Sequence, residues 1–316
     1  MRKRICSAML AMLCVCLTAC GAQVVKSTEI STTETTVASE EKQERVFVLS
    51  LKQQNENVFM KGVMNAFTDS NAILETAECT SELECKEMLL QVCEEEYEYI
   101  VGAEPAVVDM IAEVASEYPN TEFAIFDAEI PLSNVTGFYV DREGAYFEAG
   151  VIAAKLTKES ENSGINEEIT IGWIGGMNLP IVKIYFSAFE DGARSVEPEI
   201  QILEQYTGSW NDSEEGKRLA LEVADLGADV IVCAADETNR GVLEAAEELG
   251  IYVIDASGKM DRSEFVIATI SDDMEWIGYH MIKKMLNGSG KGNASIELTM
   301  EDGCVVLDKE SKAYKN

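Results

Sequence analysis

The stretch Ile169-Thr-Ile-Gly-Trp-Ile-Gly-Gly-Met-Asn-Leu-Pro180 decides the fold class. Its first six residues are dominated by β-branched and aromatic side chains, which predicts a short buried strand over 169–174. Gly175-Gly176 then breaks the run, as a tight turn or as a place where another group approaches the backbone closely. Pro180 stands where the first turn of a helix tolerates it and opens a helical window to about Val196. A strand that turns directly into a helix is half of a crossover, and crossovers of that length join parallel strands.

The same unit recurs on both sides. Downstream, strands are expected over 200–205, 230–234, 251–254 and 266–270. Asp212-x-x-Glu215 opens one helix with a cap-like pattern, Gly250 ends the next, and 274–286 is the last long one. Residues 293–307 read as terminal strands. Upstream, strands at 46–49, 72–74, 99–101, 123–126 and 137–140 alternate with helices through Phe59, Val63 and Phe67, over 83–93, from Pro105, and over 143–157. The polar segment 158–168 separates the two series and reads as a crossover. Two successive β-α series predict an α/β protein with two parallel sheets covered by helices.

The 316 residues carry 25 basic against 57 acidic side chains, a formal charge of −32. Phosphate backbones need clustered Lys and Arg, so nucleic acid is excluded as a partner and the charge reads as a solvated surface. Arg2, Lys3 and Arg4 precede an apolar run from Ile5 to Leu17, too short to span a bilayer. The run ends in Leu17-Thr18-Ala19-Cys20-Gly21, which resembles a bacterial lipobox, so Cys20 is expected to be acylated after cleavage. An ordinary secretory cut beside an incidental Cys is the alternative. Residues 23–45 are rich in Ser, Thr and Glu without apolar periodicity and read as a tether.

Of nine cysteines, Cys79, Cys85, Cys93, Cys233 and Cys304 belong to the mature fold. Cys85 and Cys93 share a helix face with Leu89, which favours buried free thiols, with one disulfide or a metal as alternatives. Catalytic signatures are missing: the single His280 sits mid-helix, and Gly172-x-x-Gly175-Gly176 lacks the dinucleotide spacing. No catalytic residue, metal or cofactor is expected.

In open α/β sheets ligands bind beyond the carboxyl ends of the strands. That rule selects Asn55, Asn57, Asp127 and Met177, then Trp210 and Asn211, and finally Asp236, Asp255, Ser257 and Asp272. The mixture suits a polar, hydroxyl-bearing ligand with one flat or apolar face. Each Asp, Asn or Ser among them has a second reading as a helix cap.

Several stretches carry a resemblance. Ile171-Gly-Trp-Ile-Gly-Gly-Met-Asn-Leu-Pro-Ile181, Tyr206-Thr-Gly-Ser-Trp-Asn-Asp212 with Glu215-Gly-Lys-Arg-Leu-Ala220, and Gly227-Ala-Asp-Val-Ile231 are similar to segments of the basic membrane protein (BMP) family of solute-binding lipoproteins. So are Phe123-Ala-Ile-Phe-Asp127, Glu143-Gly through Ala149-Gly150, and Asp302-Gly-Cys-Val-Val-Leu307. The resemblance implies a type I periplasmic-binding-protein fold, two Rossmann-like lobes joined by a hinge with ligand captured between them. It also implies stacking of a base on Trp210, with Asn211 and Asp127 in the family's register. Asp255 or Ser257 takes the place of a family Asp. Asp272 stands where the family carries a Lys, implying a corner of reversed polarity that favours ligands offering donors or a cation and disfavours nucleotides.

The organisation expected is a signal peptide over 1–19, lipidated Cys20 with a tether to 45, a first lobe over 46–160, a second over 161–290 with hinge crossovers near its ends, and terminal strands and tail over 291–316. The function expected is a non-enzymatic, extracytoplasmic solute-binding protein on the cell membrane, attached by its lipid only. It would deliver a nucleoside-like or other polyhydroxylated solute to an ABC permease. A ligand-sensing or scaffold lipoprotein of the same fold, without a transporter, is the alternative.

Overall fold

The computed structural model describes residues 43–51, 57–68, 70–95, 97–158, 164–260 and 263–309. The leader, Cys20, most of the tether and Asn55 lie outside the described residues. The first half comprises β1 (Arg45–Leu51), α1 (Val58–Phe67), β2 (Ile73–Cys79), α2 (Glu82–Cys93), β3 (Tyr99–Gly102), α3 (Pro105–Val114), β4 (Glu122–Phe126), β5 (Val135–Asp141) and α4 (Glu143–Lys158). The second comprises β6 (Thr170–Gly175), α5 (Pro180–Val196), β7 (Gln201–Tyr206), α6 (Ser213–Asp225), β8 (Val230–Ala234), α7 (Asn239–Leu249), β9 (Tyr252–Asp255), β10 (Val266–Asp272), α8 (Met274–Leu286), β11 (Ala294–Thr299) and β12 (Val305–Asp308).

Two six-stranded sheets result. One has the order β11-β5-β4-β3-β1-β2 and is parallel throughout. The other runs β12-β10-β9-β8-β6-β7 and is parallel except where β12 pairs antiparallel with β10. Strands β3, β6, β8 and β9 are buried along their whole length. Helices cover both faces of such strands, so they read as unbroken apolar runs. The edge strand β2 instead alternates toward solvent, with Glu75 and Glu78 exposed.

Caps fix where the helices start. Asn57 Oδ1 accepts from the Met60 N–H at 3.1 Å, Ser81 Oγ from Glu84 at 3.3 Å, Asp212 from Glu215 at 3.0 Å and Asp273 from Trp276 at 2.9 Å. Gly250 closes α7 in the left-handed conformation, with φ 73°.

The chain changes lobes after β5, after β10 and between β11 and β12. Helix α4 follows a strand of the first sheet yet packs on α5 of the second lobe, and α8 follows the second sheet yet packs on α1 of the first. Both contacts are backbone-close. A Cβ at Gly150 would collide with the Phe189 carbonyl, and one at Gly62 with the Glu275 carbonyl. The C-terminal segment stitches the lobes further, with β11 in the first sheet and β12 in the second.

Of the five cysteines expected as free thiols, Cys79 and Cys85 form a disulfide. The end of β2 and the first turn of α2 bring their Cα atoms to 5.3 Å, within bridging distance. Helical spacing placed Cys85 on the buried face correctly, but Cys79 arrives from a strand and leaves no periodic signal. Cys93, Cys233 and Cys304 are free and buried.

Candidate functional site

The carboxyl ends of the two sheets meet beside the crossovers, and three charged side chains converge there. Asp127 ends β4 with φ 54°, a left-handed conformation that Asp tolerates better than bulkier residues. Its N–H donates to the Phe138 carbonyl at 2.6 Å, which holds the turn. Asp272 ends β10 in the other sheet. Between them lies Arg142, in the crossover from β5 to α4. Its Nε donates to Asp272 Oδ1 at 3.0 Å and its Nη2 to Asp272 Oδ2 at 2.6 Å, a two-point pair. Nη2 also reaches Asp127 Oδ2 at 3.2 Å, and Nη1 reaches Asp127 Oδ1 at 3.4 Å. Nη1 is shared further with the Val140 carbonyl and the Tyr185 hydroxyl, each at 3.2 Å.

The electrostatics follow from that geometry. Burial works against the Arg142 charge, but the bonds and field of Asp272, with Asp127 behind, raise its pKa overall. The guanidinium is therefore a fixed cation. Tyr185 stacks on Tyr146, with centroids 4.6 Å apart and planes 15° from parallel, so its hydroxyl is held rigidly. Burial raises the pKa of Tyr185, and the phenol stays neutral at ordinary pH.

A second group lines the carboxyl ends of β6–β8. Gly175 and Gly176 are the close-approach kind of break: a Cβ on Gly176 would run into the Trp210 indole. The Gly176 N–H donates to the Ala234 carbonyl at 3.0 Å and its own carbonyl accepts from Gly208 at 2.9 Å. These bonds seat the indole flat against backbone, with 37% of Trp210 still exposed. Met177 is exposed beside it. Asn211 is exposed on the same loop, its Oδ1 accepting from Ser209 Oγ at 3.0 Å. Asp236, at φ 53°, pairs with Lys259 Nζ at 2.6 Å.

Other sequence candidates are spent on the scaffold. Asp255 is fully buried and accepts from Asn239 Nδ2 at 2.8 Å, from Ser257 Oγ at 2.7 Å and from the Met260 N–H at 3.2 Å. It shapes the loop after β9, and Ser257 is its partner there. Asn57 uses Oδ1 as the α1 cap, while its buried Nδ2 has no hydrogen-bond partner among the described residues. His280 stacks on Trp276 at 3.6 Å, with Nδ1 2.9 Å from the Trp276 carbonyl, as a packing residue would. Among the described residues no cluster of His, Cys, Asp or Glu is placed to hold a metal, and no described helix is long and apolar enough to cross a membrane.

Sequence reasoning missed Arg142, and reached Glu104 only as part of the segment 103–104 that follows a strand. Arg142 was legible only as a base just past a strand in an acidic chain, and its partners lie 15 and 130 positions away. Its presence changes the reversed-polarity corner expected from Asp272, because the cation is supplied from the first crossover. Glu104 lies two residues past β3, immediately before α3. Burial pushes its carboxyl up to about 7, against N–H bonds from its own backbone and from Leu51, and Oε2 has no hydrogen-bond partner among the described residues.

Comparison with known proteins agrees with this architecture. The chain is 29% identical over 218 residues to the ABC transporter nucleoside-binding protein BmpA of Lactococcus lactis, a match covering 68% of this chain and 57% of that relative. It is thus matched over little more than half of the relative's length. Among solved structures it resembles an ABC transporter solute-binding protein from Aeropyrum pernix, with TM-score 0.63, 20% identity, and 84% and 76% of the two chains covered. It also resembles AraP, an arabinose-binding protein from Geobacillus stearothermophilus, with TM-score 0.66, 16% identity, and 86% and 98% covered. These likenesses establish the type I periplasmic-binding-protein fold. The family model described as ABC transporter substrate-binding protein PnrA-like matches residues 53–316, and the chain belongs to that family, Bmp.

Proposed function

We propose that the protein captures a neutral, nucleoside-like solute between its lobes and hands it to an ABC permease, while tethered to the outer face of the cell membrane through acylated Cys20. The observation that carries this reading is the meeting of Asp127 and Asp272, from the ends of two separate sheets, on one guanidinium beside the crossovers. Polar groups that converge from two lobes close on a ligand when the lobes rotate about their crossovers. Trp210 supplies the flat apolar surface that a base requires, and the nucleoside-binding relative supports that choice of solute. Met177, Asn211 and Asp236 line the same end of the second sheet and complete the proposed ligand surface.

Native mass spectrometry of the protein extracted from its membrane in mild detergent tests the reading, followed by calorimetry with inosine, guanosine and their monophosphates. The expected result is a bound nucleoside and no affinity for the monophosphates, because the corner carries two carboxylates against one guanidinium. Tight binding of a nucleotide would refute this site.

A further inference from the structure

We propose that the groove between α4 and α5 is a separate binding site for a linear polyamine, an aliphatic chain with an ammonium group at each end. The two helices touch backbone to backbone at their crossing. A Cβ on Gly150 would strike the Phe189 carbonyl there, and one on Gly192 the Phe147 carbonyl. Beside the crossing they part and leave a groove of about 510 Å³. Phe147 and Ile184 line it and are 37% and 44% exposed, large apolar side chains left open to water. Gly144 and Ala188 line it as well, and their small size leaves it room. Its two charged lining residues are both acidic, Glu143 and Asp191.

Neither side-chain carboxylate has a hydrogen bond or ion pair among the described residues. The bases of α5 are committed elsewhere, Lys183 to Glu204 at 2.6 Å and Arg194 to Glu190 at 2.9 Å. Topology separates the two acids. Helix α4 runs from the first crossover toward the start of β6, and α5 from the end of β6 toward the start of the parallel β7, so both run the same way. Glu143 opens α4, whereas Asp191 lies about three turns into α5. Roughly 10–15 Å therefore lie between the carboxylates along the helices. The matching ligand is cationic at both ends and apolar between. Its methylenes cover Phe147 and Ile184, and each ammonium offers a compact charge with three donors to one carboxylate. A monoamine leaves one acid bare, and a short diamine cannot reach both. An anion, or a second copy of a chain with net charge −32, is repelled.

The test is calorimetry at physiological ionic strength on the full chain in phosphatidylcholine nanodiscs, with empty nanodiscs as the blank. The probes are 1,8-diaminooctane, long enough to reach both carboxylates, and 1,3-diaminopropane, which is too short. Three variants are compared, each first shown by circular dichroism to melt cooperatively. Glu143→Gln/Asp191→Asn removes the groove's charges, and Asp109→Asn/Glu117→Gln removes as much charge from exposed positions in the first lobe. Gly144→Leu fills the groove while sparing the fold, since a Cβ there meets nothing closer than Met300 at 3.9 Å and leucine suits a helix better than glycine. We expect a single 1,8-diaminooctane per chain, bound at least about tenfold more tightly than 1,3-diaminopropane. The groove pair should lower that affinity by about fivefold or more and Gly144→Leu by about tenfold, with the first-lobe pair without effect. Equal binding of the two diamines, several molecules per chain, or equal weakening by both charge pairs would mean diffuse attraction to an acidic surface and overturn the site. Full affinity in Gly144→Leu, or no binding of 1,8-diaminooctane at all, would overturn it too.

Discussion

At the scale of single residues, the candidate site separates side chains left exposed at strand ends from those spent on the scaffold. Trp210 faces outward because Gly176 leaves its indole a flat bed of backbone. Base–aromatic stacking contributes about 1–3 kcal/mol, so Trp210→Ala should weaken inosine binding by roughly one to two decades in calorimetry. Unchanged affinity would remove Trp210 from the site. Glu104 is tied only to nearby backbone, and its cost is electrostatic. Its folded-state pKa of about 7 lies above the ordinary 4.5, so the folded protein takes up the proton more readily than the unfolded chain. The stability it contributes is present below the ordinary carboxylate range and is lost as pH rises through about 7. Glu104→Gln should therefore stabilise the fold at about pH 8, by on the order of 1–2 kcal/mol once partial exposure is allowed for, and change little near pH 4. Urea titrations at the two pH values check this, and equal effects at both would show that burial of the charge is not the cause.

At the scale of elements, the first lobe is stapled where β2 turns into α2. The Cys79–Cys85 bridge closes a loop separated by six positions in sequence, compatible with an oxidising compartment outside the cytoplasm. Burial pushes the Cys93 and Cys304 thiols up to about 11 and raises that of Cys233 as well. A thiol that is both buried and protonated reacts slowly. Counting only the fold's own cysteines, protein denatured without reductant should titrate three thiols per chain, and reduced denatured protein the bridge pair as well. Native protein should titrate almost none. Five reactive groups without reductant would contradict the bridge. The crossover helices depend on glycine in the same local way: Gly150 in α4 and Gly62 in α1 sit where a partner's carbonyl leaves no room for a side chain.

At the scale of the whole molecule, three crossovers join the lobes and the charged corner lies beside them, so under the proposed function solute capture and lobe closure would involve the same residues. The second crossover is bonded to the third through the Asp273 N–H and the Cys304 carbonyl at 2.8 Å, while Arg142 joins the first to the second. The proposed anchor has its own test. Cys20→Ser should leave unprocessed precursor or release the protein from membranes on fractionation, because the acylated sulfur is lost. A mutant that stays anchored with an unchanged mature N-terminus would overturn the lipobox assignment.

The sequence by itself determined the elements and the fold class. Strand runs buried on both faces, a Pro at the start of α5, an Asp cap on α6 and a glycine stop on α7 are local signals, written within a turn or two of where they act. They placed β6, α5, β8 and α8 within a residue or two of their observed ends and predicted two parallel sheets. The strand-end rule also singled out Asp127, Trp210 and Asp272, which the structure places past the carboxyl ends of strands in the two sheets. Tertiary structure alone decided which candidates are available. Asp255 follows the same rule as Asp127 yet is fully buried among donors from its own loop, whereas Asp127 is presented to solvent on a left-handed turn. The Cys79–Cys85 bridge and the Arg142 pairings were equally invisible. Each depends on how two elements meet in space, and the periodicity of one element carries no record of its contact with another, whether six positions away or 130.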